Sequence, residues 1–78
     1  MNFKKGSVYK HMRCVDVAFL VLDIIEDKDI LKLNGWWISV VNKSNPFPMC
    51  QDNIEILKSN VYDWVLREDL DKKLNFRN

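Results

Sequence analysis

The chain has only two glycines, two prolines and two cysteines in its 78 residues. So little Gly and Pro excludes a low-complexity or collagen-like chain. It also leaves no glycine-rich loop to cradle a phosphate. Two cysteines are too few for a disulfide scaffold. A single histidine, His11, gives metal ligation and general-base chemistry little to work with. Neither sign of charge prevails: 12 Lys and Arg stand against 11 Asp and Glu, for a net charge of +1. That excludes both a polycationic nucleic-acid glove and an acidic nucleic-acid mimic. Long hydrophobic runs are missing too. The longest, Val17–Leu22, is far short of the roughly 20 residues a membrane span needs. The basic start, Met1 to Lys5, is followed by the polar Lys10–Arg13 and not by the apolar stretch of a secretory signal. The expected location is therefore the cytoplasm, with Cys14 and Cys50 reduced as two small buried thiols, a Cys14–Cys50 bridge being the weaker reading.

What is present suits one small globular domain over residues 1–78. The composition is 47% hydrophobic and 29% charged, ordinary for a soluble fold. Three Trp, two Tyr and four Phe bury on the order of 150–250 Å² each. They fill one core without room for a deep substrate pocket. Lys, Asn and Ile are abundant while Ala18 is the lone alanine, the bias of AT-rich codons.

The pattern predicts strands. Ser7–Lys10, entered through Gly6, is the first. Val15–Ile25 is the strongest: β-branched, without a polar stripe, and apolar on both faces beyond residue 17. Such a strand is central and covered twice, or bends within a strongly curved barrel, or lends one face to a dimer interface; the bend is the expectation here. Glu26–Asp29 forms a charged turn, and Ile30–Val41 is the partner strand. Within it Asn34-Gly35 reads either as a hairpin turn or as a bulge at Gly35 in a strand that runs through. The apolar parity switches there, from Leu31 and Leu33 to Trp36, Ile38 and Val40. The bulge is favoured, because Val15–Ile25 needs a long partner. Residues 42–53 read as a loop in which Pro46 and Pro48 extend the backbone around Phe47. Ile54–Leu57 is a short strand, a tight turn falls near Ser59-Asn60, and a last strand covers Trp64–Leu66. A helical or fraying tail begins at Glu68; a helix capped by Asn60 with Tyr62, Leu66, Leu70 and Leu74 on one face is the weaker reading.

These elements add up to a mainly β domain, a small SH3-like or OB-like barrel of about five strands over residues 3–66, with a tail over 67–78. Lys5-Gly6-Ser7-Val8-Tyr9-Lys10-His11, Val15-Asp16-Val17-Ala18-Phe19, Gly35-Trp36-Trp37-Ile38 and Tyr62-Asp63-Trp64-Val65 resemble small uncharacterised SH3-like-barrel proteins of bacteriophages. The resemblance implies binding to a protein or nucleic acid more than catalysis. It assigns no functional residue.

The chemistry-bearing residues support little catalysis. His11, Cys14 and Cys50 lack the paired Cys-x-x-Cys spacing of a zinc site. Cys14 with His11 and Asp16 fails as a nucleophile set, since residues 14 and 16 share a strand face that 11 does not. Asp27 with Asp29, and Asp69 with Asp71, read as solvated turn and capping groups. No enzyme, metal or cofactor is expected.

The Trp36-Trp37 pair is more informative. Adjacent strand residues face opposite sides, so one indole belongs to the core and the other lies outside, with Trp37 the outer candidate. An exposed Trp is a typical contact residue, unless Lys32 covers its ring by cation–π contact. Phe47, held between two prolines, either presents its ring to a partner at little entropic cost or folds back as a plug, and Met49 suits both. The leading expectation is a non-enzymatic module, phage-encoded, that contacts a host protein through Trp37, Phe47, Met49 and Lys32. An alternative is a nucleic-acid-binding barrel using Lys4, Lys5, Tyr9, Lys10 and Arg13, with Tyr9 as the stacking platform. A third is a homodimer that buries the second face of Val15–Ile25.

Overall fold

The computed structural model describes residues 3–42 and 44–74. Five antiparallel strands form one sheet in the order β4-β3-β2-β1-β5. They are β1 Val8–His11, β2 Val17–Glu26, β3 Ile30–Ser39, β4 Phe47–Leu57 and β5 Trp64–Leu66. A 3-10 helix, Lys58–Asp63, joins β4 to β5, and a short helix, α1 Glu68–Asp71, follows. The fold is thus mainly β, and its sheet is not closed into a ring. The expected tail beyond residue 74 lies outside the described residues.

Why β2 is apolar on both sides becomes clear from its neighbours. It lies at the centre of the sheet, between β1 and β3. On one face Phe19 and Val21 join Phe3, Tyr9, Leu31, Leu33, Ile56, Val61 and Trp64 in a first core. On the other, Ala18 and Leu20 join Val8, Ile38, Val40, Leu70 and Leu74. The second face is therefore covered from within the chain: α1 and the residues after it lay Leu70 and Leu74 over the sheet. The strand is central and covered twice, rather than apolar because of a bend. Arg67 starts this cover by donating its backbone N–H to Val8 O (2.9 Å).

The chain runs straight through Asn34-Gly35 as part of β3, so no hairpin forms there. The irregularity is on the partner strand. Val21 pairs with Gly35 and Asp23 with Asn34, so Leu22 is the extra residue. β3 itself keeps its alternation: Leu31, Leu33 and Trp37 face the first core, while Trp36, Ile38 and Val40 face the second, so its apolar positions change parity without an extra residue. Gly35 is needed for another reason. A Cβ there would sit 1.9 Å from the Leu20 carbonyl oxygen and 2.9 Å from the Phe19 ring, so only glycine permits this approach. Gly6 serves differently: its φ of 83° turns the chain into β1 through the left-handed region.

The expected loop over 42–53 is shorter than predicted, because β4 already begins at Phe47. Pro48 did not prevent it. β4 is the terminal strand of the sheet, where a missing N–H is tolerated, and Pro48 adjoins a register shift that leaves Met49 unpaired. The turn expected near Ser59-Asn60 is a full 3-10 segment with Val61 buried. The last strand and the helical start at Glu68 fall where the sequence placed them.

Candidate functional site

The register of β3 on β4 brings three of the four contact candidates together. Trp37 pairs with Cys50, Ile38 with Pro48 and Ser39 with Phe47, with Met49 as the extra residue between. Phe47 is 52% exposed and Met49 46%, so Phe47 does not plug the core. Val15 and Val41 are exposed at the same end, where Val40 N–H bonds Asp16 O (2.8 Å) and aligns the two chain segments. The sequence pattern places both valines inside strands, whereas β2 begins only at Val17 and β3 ends at Ser39.

Trp37 is half-buried. Its ring meets Phe19 edge-on, with centroids 4.9 Å apart, and its Nε1–H donates to Asp52 Oδ2 (2.8 Å). Trp36 packs on the opposite face beside the second core. The two indoles do lie on opposite faces, but Trp37 is not the outer ring expected: both are half-buried, Trp37 against the first core and Trp36 against the second. Asp52 was missed altogether, since no local signal links it to a Trp fifteen positions earlier. Its other oxygen, Oδ1, accepts the backbone N–H of Asn53 (2.8 Å).

Lys32 does not belong to this cluster. It pairs with Ile25 and Glu55, five residues along β3 from Trp37, or about 16 Å at strand rise. Its alternation places it on the other face, where it lines a shallow depression of about 280 Å³ with Asp23, Ile25, Asn34, Asn53 and Glu55. It cannot cover the Trp37 ring.

Of the basic candidates, the ammonium groups of Lys5 and Lys10 are engaged within the chain, and Tyr9 is buried. Tyr9 is 1% exposed, with the Phe3 ring tilted against it at a centroid distance of 4.5 Å. Its hydroxyl accepts the Lys4 backbone N–H (2.7 Å), and burial raises its pKa. No base can stack on a ring so covered, which corrects the reading of Tyr9 as a platform. Lys5 pairs with Asp23 (3.2 Å) and pulls that carboxylate below its usual range. Lys10 donates its ammonium to the Cys14 carbonyl. Arg13 donates its backbone N–H to His11 Nδ1 (3.1 Å), and His11 lies edge-on to Trp64 at 5.0 Å.

Both cysteines are free thiols. Cys14 is half-buried and Cys50 exposed, so neither is the small core residue expected. Cys50 is exposed because β4 turns most of its side chains to solvent. Among the described residues no three His, Cys, Asp or Glu side chains gather as a metal site. Among the same residues no helix is long and apolar enough to cross a membrane.

No protein-family model, no curated protein and no solved structure matches this chain.

Proposed function

We propose that this protein is a non-enzymatic contact module, built as a small SH3-like barrel of the kind found in bacteriophages, that engages a host protein through Trp37, Phe47 and Met49. The observation that carries this reading is the grouping of two half-exposed apolar side chains, Phe47 and Met49, beside an indole fixed at both edges. A ring held by Phe19 and Asp52 loses little freedom when a partner covers it. Large side chains near the centre of a small apolar patch carry most of the energy of a protein contact. The barrel type is supported by β1–β4 forming a meander while β5 returns to pair with β1. That order departs from the Greek-key path of the OB type. Lys32 has no part in this surface.

The test compares the native chain with a Phe47→Ser/Met49→Ser variant as tagged baits in bacterial lysate, with nuclease present. Both substituted side chains are exposed, so circular dichroism should be unchanged. A protein retained by the native chain and lost by the variant supports the reading. Equal retention by both, or a signal that vanishes with nuclease, overturns it.

A further inference from the structure

The terminal strand β4 has a property that the apolar patch does not use: its outer edge is unpaired over most of its length. It ends the sheet order, and no strand lies beyond it among the described residues. Two hydrogen bonds fix which residues point their backbone outward. Lys58 N–H turns inward to Asp29 O (2.9 Å). Asp27 N–H bonds Ile30 O (2.9 Å), so Ile30 and, by alternation, Lys32 and Asn34 turn their backbone to β2 and away from Leu57, Glu55 and Asn53. Backbone direction alternates along a strand as side chains do. Gln51, Asn53, Glu55 and Leu57 therefore present their backbone groups to the open edge. Their side chains lie on the face of Lys32, while Ile54 and Ile56 lie on the face of the first core.

The charges that β4 itself contributes are of one sign, with Lys32 of β3 lying opposite Glu55 on the inner side. From Phe47 to Leu57 the strand carries Asp52 and Glu55 and no Lys or Arg. A second copy of the chain pairing edge to edge would bring four carboxylates and no strand cation into one junction, which is unfavourable. A segment with apolar residues opposite Ile54 and Ile56, and a cation opposite Glu55, meets every demand at once. The edge is also tempered against indiscriminate pairing, because Asp52 already occupies the Asn53 donor and Pro48 and the Met49 irregularity end the regular register.

We propose that β4 accepts an extended, basic segment of a partner protein as a sixth strand along Gln51–Leu57. Main-chain hydrogen bonds supply the affinity and Glu55 the preference for Lys or Arg. The proposal deepens the contact-module reading by naming the partner's conformation and charge, but uses a different surface from Phe47 and Met49. The two can therefore fail separately.

The experiment titrates the full chain, labelled for amide NMR, with a short peptide alternating valine and lysine. A valine–glutamate peptide and a valine–lysine peptide N-methylated on alternate residues serve as controls. The expected result is shift changes and slowed hydrogen exchange at Gln51, Glu55 and Leu57 with the lysine peptide alone. Glu55→Lys, an exposed substitution facing Lys32 whose fold is checked by its amide spectrum, should weaken the lysine peptide about tenfold and admit the glutamate peptide. Equal binding of the N-methylated peptide, indifference to Glu55→Lys, or shifts confined to other strands would each overturn the proposal. The Phe47→Ser/Met49→Ser variant should bind the lysine peptide as the native chain does. If it does not, the edge is not an independent surface and the sixth-strand proposal falls.

Discussion

β2 and β4 are the two ends of a contrast. They are nearly equal in length, 10 and 11 residues, and both pair with β3. Yet β2 buries Ala18, Phe19, Leu20 and Val21 completely, while β4 buries only Ile56. The difference is position in the sheet. A central strand with both faces covered must be apolar on both, so its composition announces it. A terminal strand needs little more than backbone bonds on one side, and Gln51-Asp52-Asn53 satisfies that with residues of poor strand propensity. Stability is concentrated in β2. Exposed side chains are concentrated in β4.

The sharpest way to break the contrast is at the point where β2 and β3 approach most closely. Gly35→Val places a side chain on the Leu20 carbonyl, and the expected result is loss of the cooperative unfolding transition, a cost above roughly 4 kcal/mol. A urea transition near the native midpoint would mean that the approach is not required.

Next comes the direct comparison of the two strands. Leu20→Ala should cost about 3 kcal/mol, as for other fully buried leucines. Asn53→Ala on the exposed face of β4 should stay within about 0.5 kcal/mol. Denaturant midpoints measured side by side decide this, and equal losses would contradict the burial argument.

The cover on the second face of β2 gives a smaller effect. Leu70→Ala should cost about 2 kcal/mol and raise binding of a hydrophobic dye, since Val8, Leu20 and Ile38 lose part of their lid. A normal dye signal would show that the face stays closed without it. At the β4 side, Trp37→Phe removes the indole donor but keeps the ring against Phe19, for an expected loss of about 1 kcal/mol. A loss near 3 kcal/mol would move Trp37 from the rim into the core.

The smallest effect is electrostatic. Two hydrogen bonds from the Arg67 guanidinium hold the Asp69 carboxyl at about 2, below its ordinary value of 3.8. A carboxylate depressed in the folded state contributes its stability above the unfolded value and loses it as pH falls toward the folded one. Stability should thus drop slightly between pH 4 and pH 2, and Arg67→Gln should flatten that part of the profile. Both groups meet water, so the slope is shallow. An unchanged profile in the variant would show that the pair does not anchor the start of α1.

The contrast also explains which features could be read in advance. β1, β2, β3 and β5 carry β-branched and aromatic residues in runs that burial requires, so their places were legible to within a few residues. The start of β4 was not, because Pro48 and the polar run after it resemble a loop until the neighbouring strand is known. The site was legible in part. Trp37, Phe47 and Met49 stood out as large side chains in unusual settings. Asp52 did not, because its link to Trp37 exists only through strand pairing. Tyr9 looked available for stacking because nothing in Val8-Tyr9-Lys10 shows that Phe3 folds over it.

The sequence by itself determined that these residues form a mainly β fold with near-balanced charge. Local composition and alternation are sufficient for that, since they reflect each residue's own preference for burial. Only the tertiary structure decided that Leu22 is the extra residue, that Leu70 and Leu74 join the core of the second face, and that β4 ends the strand order. Those outcomes depend on which segments lie side by side. Pairing across long stretches of chain is set by the collective packing of the whole core and not by any residue's neighbours in sequence.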